Sequence, residues 1–324
     1  MAPAQGKDDN SNSSKMIARP TSFLSILEEA KKAPPLRVAV VNASDPLVLE
    51  GVLEAVREDF IRPVLLGNPS VINDFFSKNP SPVPIEIIET ASDRESADKA
   101  ASLFFDGDVQ ALLKGHIHTD TLLHAFLKKV PLPGRLSHIF LAELPSYPKL
   151  LFITDAAVNI APDLSTKMSI TQNAIDFARL MGVQIPHVAI LSATETVNPS
   201  IPSTLDAACL AKMSERGQIR GAVIDGPLAF DNAISTESSA EKGIKSPVAG
   251  IADILVVPDL VSGNILAKNL EYFAGATLAG VVVSGHSVPL MLTSRSDPPR
   301  SRLLSTAIAV LAHDRLARKK IDNR

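Results

Sequence analysis

Asp, Ser and Arg gather at one kind of place in this sequence, the residue or two that follow each short apolar run. Asp155 follows LLFIT, Ser192 follows HVAIL, Asp225-Gly226-Pro227 follows AVI, Pro258-Asp259 follows ILVV, and Thr293-Ser294-Arg295 follows PLML. Open α/β sheets bind ligands at the carboxyl ends of their strands, so these residue types at these places suit a polar cleft. A second polar group is His116-Ile117-His118-Thr119-Asp120, just ahead of a helical pattern. Thr119 or Asp120 as the cap of that helix would leave backbone N–H groups facing an anion. The two histidines also have H-x-H metal spacing, but no third ligand accompanies them. Asp225 and Asp231 in DGPLAFDNA can line a cleft or serve as turn and cap, since Asp-Gly-Pro is strong turn punctuation. Asp297 precedes Pro298-Pro299, where a helix N-cap belongs. Cys209 in LDAACLAK reads as a small packing residue within a helix.

The elements that must position these residues follow from the apolar pattern. Strands are expected at Arg37–Val41, Val64–Leu66, Ile85–Ile88, His138–Leu141, Leu150–Thr154, His187–Leu191, Ala222–Ile224, Ile254–Val257, Ala279–Val283 and Leu290–Leu292. Most are continuous Val/Ile/Leu runs, the signature of strands buried on both faces. Helical patterns lie between them. One starts at the Asp45-Pro46 cap, and others span Ser165–Leu180, Ser203–Glu215, Gly263–Tyr272 and Ser301–Leu316. Strand–helix alternation of this kind predicts an α/β fold with largely parallel sheets. No internal repeat, GxGxxG after the first strand, P-loop or GxSxG elbow is present.

Composition narrows the class. The 324 residues are 45% hydrophobic and 21% charged, enough for about two domains. Aromatics make up only 4%, so the cores must be aliphatic. A net charge of -3 gives no reason to expect nucleic-acid binding. One cysteine cannot form an internal disulfide and suits the reducing cytoplasm. No run approaches the roughly 18 apolar residues a membrane span needs, so no membrane partner is expected. The polar start, MAPAQGKDDNSNSSK, lacks the apolar stretch of a secretion signal, and residues 1–20 read as a disordered tail.

Six segments, in order, resemble the phosphate acetyl/butyryltransferase family. They are KGHIHTDTLLHAFL (114–127), TDAAVNIAPDL (154–164), LSATETVNPSIPSTLDAA (191–208), IDGPLAFDNAIS (224–235), ADILVVPDLVSGNILAKNLEYFAGATLAG (252–280) and VPLMLTSRSDPPRSRL (288–303). The resemblance is closest to the butyryltransferase-like branch and to the acyltransferase module that some proteins fuse to an enoyl-CoA hydratase. It implies two α/β domains, 21–143 plus 291–324 and 144–290, with a cleft between them and a fold like that of isocitrate and isopropylmalate dehydrogenases. It also implies a homodimer, acyl-CoA and inorganic phosphate as substrates, and no metal or organic cofactor.

The reaction implied is reversible attack of phosphate on a thioester. It needs a guanidinium for the phosphate and aimed donors for the oxyanion. By resemblance, Ser294 and Arg295 are the catalytic pair, with Ser294 near the reacting carbonyl or thiol and Arg295 on the phosphate. Asp297 is either the base for the CoA thiol or the cap named above. The acetyltransferase branch places its base further along, where this chain has Ser301. The family's usual arginine is replaced here by His124, and Arg135 can supply the charge. Asn159 resembles a family asparagine near the substrate. Thr119, Asp225, Asp231 and Asn264 complete the expected substrate contacts, Asn264 by presenting amides or by capping. The family cysteine is replaced by Ala156, which with Cys209 as a packing residue points to direct transfer in a ternary complex. Two other readings compete, a metal- and NAD-dependent dehydrogenase on the same fold and a non-catalytic CoA or acyl-phosphate binding protein.

Overall fold

The computed structural model describes residues 19–132, 134–285, 287–293 and 298–322. Its strands are β1 Leu36–Val41, β2 Ile61–Gly67, β3 Glu86–Glu89, β4 Ala111–Lys114, β5 Ser137–Glu143, β6 Leu151–Thr154, β7 His187–Leu191, β8 Val223–Leu228, β9 Ile254–Val256, β10 Thr277–Ser284 and β11 Ser287–Met291. Its helices are α1 Phe23–Ala30, α2 Pro46–Arg57, α3 Pro69–Lys78, α4 Asp93–Phe105, α5 Thr119–Lys129, α6 Leu164–Leu180, α7 Pro202–Glu215, α8 Phe230–Ile234, α9 Thr236–Glu241, α10 Leu260–Tyr272 and α11 Pro299–Asp322. Local chemistry explains many of the starts. The side chains of Ser22, Asp45, Asn68, Ser92, Asp163, Ser235 and Asp259 each accept a backbone N–H at a helix N-terminus.

All strands join one sheet in the order β3-β2-β1-β4-β11-β10-β5-β6-β9-β7-β8. The pairs β5–β6, β5–β10 and β10–β11 are antiparallel, and the rest are parallel. The fold is therefore mixed α/β with a large, mostly parallel sheet. The antiparallel β10 and β5 separate two parallel blocks of opposite polarity. Thr154 pairs with Ile139, Ile139 with Val281, and Val282 with Leu290. The ends of β6 and β11 thus lie level with each other, with β5 and β10 between them.

Within the first block the chain moves outward from β1 to β2 and β3, then returns across β1 to form β4. This reversal opens a crevice at the ends of β1 and β4. Both sheet faces are covered. Residues of α1, α2, α6 and α11 pack on one side, and α4 and α5 cover the other side of the first block. Residues of α8 and α10 join β5, β6 and β9 in a third cluster. Two-sided cover is the reason the strands read as continuous apolar runs.

Two differences from the sequence reading have physical causes. Ala111–Lys114 is a further strand, buried throughout. Four residues ending in lysine carry no readable alternation, and their burial comes from β1 and β11 on either side. Strand β8 also runs on through Asp225-Gly226-Pro227, which the sequence marks as a turn. Its register with β7 shifts there, and a Cβ on Gly226 would sit 2.8 Å from the side chain and carbonyl of Ile190. The glycine serves close strand packing instead of a reversal.

At the opposite ends of the second block, buried Asp253 forms a hub. It accepts from Arg19 at 2.8 Å, Lys149 at 2.6 Å and the His187 N–H at 2.8 Å. Burial opposes its ionisation most, but these donors together hold its pKa below the ordinary value of 3.8. Tyr147, beside it, is pushed up to about 12 by burial and then by the Asp253 charge.

Candidate active site

The crevice begins where β1 and β4 end. The N–H of Gly115 donates to the Val41 carbonyl at 3.0 Å, and that of His116 to the Asn42 carbonyl at 2.9 Å. A Cβ on Gly115 would lie 2.3 Å and 2.4 Å from those two oxygens, so only glycine fits. Asn42 takes a left-handed conformation, φ 52°, which asparagine tolerates. Its Nδ2 donates to Asp93 at 2.6 Å and to the His116 carbonyl at 2.9 Å, tying the β1 exit to α4 and to the β4 exit. His116 Nδ1 lies 3.3 Å from Asp45, the residue that caps α2.

Helix α5 starts at Thr119, with His118 as its N-cap and no side-chain cap bond. This corrects the expectation that Thr119 or Asp120 caps it. His118 is extended, and its carbonyl already accepts from Leu122 at 3.3 Å, so the helix begins earlier than a cap at Thr119 or Asp120 would allow. Its N-terminal N–H groups keep the partial positive charge a side-chain cap would have taken up. His124 lies exposed on α5. Among the described residues no three His, Cys, Asp or Glu side chains group as metal ligands.

Next to β4 runs β11, with Leu290 and Met291 paired to Leu112 and Leu113. Lys114, only 5% exposed, donates its Nζ to the Thr293 carbonyl at 3.2 Å. Thr293 is buried too, and its Oγ1 has no hydrogen-bond partner among the described residues. Ser294, Arg295 and Asp297 lie outside the described residues, including the capping role read for Asp297. Ser301 is buried in the first turn of α11, where its N–H donates to the Pro298 carbonyl at 3.0 Å.

The second block contributes the β6 exit. Asp155, 2% exposed, accepts from the N–H groups of Ala157 and Val158 at 3.0 Å and of Asn159 at 3.3 Å. It also accepts from Asn159 Nδ2 at 2.6 Å, and that amide donates again to the Leu136 carbonyl at 2.9 Å. Four donors satisfy one buried carboxylate and fix the loop. Helix α10 packs directly on this loop. A Cβ on Gly263 would lie 2.7 Å from Val257 and 3.0 Å from the Asp155 carbonyl. Asn264 lies in the second turn, with Nδ2 3.5 Å from the Ala156 carbonyl. Asp259 and Ser262 form the capping box of α10, so the capping alternative read for Asn264 is corrected.

Arg135 is exposed, and its charge adds slightly to the depression of the Asp163 pKa to about 2, which comes first from Thr166 hydrogen bonds. Asp225 is half-buried within β8 and accepts from the Gly226 N–H at 2.8 Å. Asp231 opens α8, where Lys242 and then Ser238 hold its pKa at about 2. Both sit on the outermost strand of the second block or just beyond it. Three strand spacings, about 14 Å, separate β8 from β6. Cys209, read as a packing residue, is exposed on α7.

The structure therefore places Thr119 at the start of the helix that follows β4, the neighbour of β11, and ties both Asn159 and Asn264 to the loop after β6. Asp225 and Asp231 stand apart from both groups. Lys114 and Asn42 were not read as functional from sequence, and Asp155 was read only as a polar residue at a strand end, with no role assigned. Their signal was a polar residue closing an apolar run, in ALLK-G, VV-N and FIT-D.

Residues 81–310 match the family model described as phosphate acetyl/butaryl transferase. The chain is 45% identical to a phosphate acetyltransferase of Rhizobium meliloti over 298 residues, 91% of this chain and 94% of that protein. It is 39% identical to a phosphate butyryltransferase of Clostridium beijerinckii over 294 residues, 90% of this chain and 97% of that one. Its fold is similar to the crystal structure of a branched-chain phosphotransacylase from Enterococcus faecalis V583, with TM-score 0.73 and 34% identity over 86% of this chain and 99% of that one.

Proposed function

The chain belongs to the phosphate acetyl/butyryl transferase family, and from that premise we propose that it moves a short acyl group directly between coenzyme A and inorganic phosphate in a ternary complex. It is an acyltransferase. A phosphate oxygen attacks the thioester carbonyl, the C–S bond breaks, and the thiolate leaves and takes up a proton. Atoms and charge balance without a redox partner, metal or organic cofactor.

The observation that carries this reading is the shared exit of β4 and β11. Ser294-Arg295 continues the chain directly from Thr293, and Gly115–Thr119 continues it from Lys114. Arg295 supplies the planar fork for phosphate. The uncapped start of α5 adds N–H groups with partial positive charge. Ser294 donates to the developing oxyanion, the interaction that strengthens in the transition state. Asp297 or Ser301 serves the thiol proton. His124 and Arg135 serve the outer part of the phosphate or CoA path. The Asp155–Asn159 loop, with Asn264, offers the second block's face to the acyl-CoA. Asp225 and Asp231 bound that face at its far side.

Further proposals have partial support. Residues 21–143 with 291–324 act as one domain and 144–290 as the other, in the dehydrogenase-like arrangement. The return of β11 to β4 and the packing of α11 on α2 and α1 support this. The active form is a homodimer. Val261, Ile265 and Tyr272 are exposed at helical spacing on α10, and Phe273 just beyond is 89% exposed. An apolar stripe of this kind calls for a partner, and a second copy offers the same stripe by two-fold symmetry. No helix among the described residues is long and apolar enough to cross a membrane, and we place the enzyme in the cytoplasm.

A panel of acyl-CoAs, assayed by thiol release with and without phosphate or arsenate, tests the reaction. Release should depend on the oxyanion and favour short chains. Equal release without it would mark a thioesterase and overturn the proposal. Ile265→Asp should convert a dimer to monomer in sedimentation; a monomeric parent removes the dimer.

A further inference from the structure

We propose that His116 binds the substrate phosphate through Nε2, with Asp45 as the positioning residue that turns its ring. The inference rests on the acyltransferase reading above and names a further phosphate contact for it. Its observation is the pair itself. His116 Nδ1 lies 3.3 Å from Asp45 at the crevice where β1 and β4 end, and the His116 side chain is 51% exposed.

Both partners are held from other directions. Asp45 caps α2, and its Oδ1 accepts from the N–H groups of Leu47 at 3.0 Å and Val48 at 3.3 Å. That leaves Oδ2 for the imidazole. The backbone of His116 is pinned on both sides by Asn42, whose carbonyl accepts the His116 N–H and whose Nδ2 donates to the His116 carbonyl. A histidine whose Nδ1 faces a carboxylate keeps a proton there, and Nε2 is left for a ligand. An ion pair as exposed as this one adds little to stability, so the fold itself gains little from turning the ring this way.

The place suits an anion. The pair stands at the switch point between β1 and β4, where an open α/β sheet takes its ligands. Helix α5 starts nearby at Thr119 with no side-chain cap bond. The titratable groups on the surrounding elements are Asp45 of α2, Asp93 at the start of α4, Lys114 closing β4, and His118 and Asp120 at the start of α5. Asp45 and Asp93 are already engaged, the first by the α2 N–H groups and the second by Asn42 at 2.6 Å. Phosphate is the ion whose protons match an imidazole. Neutral His116 accepts at Nε2 from a P–OH group, and protonated His116 donates there to a P–O oxygen. One proton shared between the two therefore keeps the contact in either form.

The test compares the parent with His116→Asn, which keeps an amide toward Asp45 and has nothing at the Nε2 place, and with Asp45→Asn, which still caps α2. Turnover, the KM values for phosphate and acyl-CoA, melting temperature and competitive inhibition by sulfate are measured from about pH 6 to 8. His116→Asn should raise the phosphate KM by about tenfold or more, as expected for a lost hydrogen bond to a charged group, with acyl-CoA KM within about twofold. Asp45→Asn should raise the phosphate KM by about threefold without lowering the melting temperature. Sulfate brings no proton, so it should inhibit the parent less as pH rises, and His116→Asn should lose that trend. A folded His116→Asn whose phosphate KM stays within about twofold of the parent, or whose sulfate inhibition keeps the parent's trend, overturns the inference. So does a loss that falls equally on both substrates. An unchanged phosphate KM in Asp45→Asn overturns the positioning role. Should His116→Asn fail to fold, His116→Gln, which cannot titrate either, decides by the sulfate trend: its loss supports the role and its persistence overturns it. A parent without phosphate-dependent thiol release sinks the acyltransferase reading instead, whereas an active parent with an unaffected variant sinks only the role of His116.

Discussion

Asp155→Asn replaces one oxygen of a buried carboxylate by an amide nitrogen and changes little else in volume. Oδ1 serves the N–H groups of Ala157 and Val158, and Oδ2 serves the N–H and Nδ2 of Asn159. Asparagine can keep only one of these acceptor positions. With its oxygen at the Oδ1 place, its NH2 faces two other donors. Two donors of half-buried Asn159 then lose their acceptor, at about 1–3 kcal/mol each, so the whole change should cost about 3 kcal/mol. At roughly 2 °C per kcal/mol for a chain of this size, the melting temperature should fall by about 6 °C. Urea unfolding at neutral pH gives the free energy independently. A double-mutant cycle sharpens the claim. Asn159→Ala removes one of the opposed donors, so Asp155→Asn should be less costly in that background by about 1 kcal/mol. Turnover should fall as well, because the loop presents Ala156 to Asn264 and packs against Gly263. A melting temperature within about 2 °C of the parent, or strictly additive effects, would refute the account of the loop as organised around this carboxylate.

Gly115→Ala should be far more damaging than an ordinary glycine change, by about 3 kcal/mol or more, because its methyl group meets two carbonyl oxygens and forces β1 and β4 apart; a thermal melt unchanged from the parent contradicts the close approach. Cys209→Ala should leave turnover within a fewfold of the parent, since direct transfer uses no acyl-cysteine; a loss of several hundredfold in a folded variant would revive covalent catalysis. Asp253 is held below its ordinary pKa of 3.8, so its contribution to stability is present above that pH and is lost as pH falls through the lower folded-state value. The melting temperature should therefore decline as acid is added below about pH 4, and Asp253→Asn should flatten that decline; an identical acid slope in the variant assigns it to other carboxylates.

The α/β architecture was legible because burial on both faces removes the need for alternation, and runs such as HVAIL stand out without it. The strand Ala111–Lys114 was not, because its burial is imposed by distant neighbours, β1 and β11, and not by its own composition. Asp45 and the start of α2 were readable, since an Asp-Pro cap is local chemistry. Asn264 and Thr119 were misplaced as caps by a few residues, because the residues that truly begin those helices, Asp259 and His118, are set by where the preceding strand stops. Residue type showed that polar groups lie at strand ends. It did not show which ends adjoin, because that depends on a strand order in which β11 sits beside β4 and β8 lies at the edge. The contact of Lys114 with the Thr293 carbonyl stayed hidden for that reason, since the two residues are 179 apart in sequence.

The pairing of β11 with β4 also sets a schedule for synthesis. Leu112 and Leu113 must wait for Leu290 and Met291 before their strand has its second neighbour. At ~5–20 residues per second, translation of the intervening chain takes on the order of 10–35 s. During that interval β4 is a bare edge of buried-type residues, ALLK, with open backbone donors and acceptors. The terminal lysine is the one charged group on that edge, and a charge on an exposed edge discourages pairing with other chains. A nascent chain stalled before β11 should accordingly engage chaperones and aggregate when released early, while the second block, whose strands lie within residues 151–256, is free to pair as it emerges.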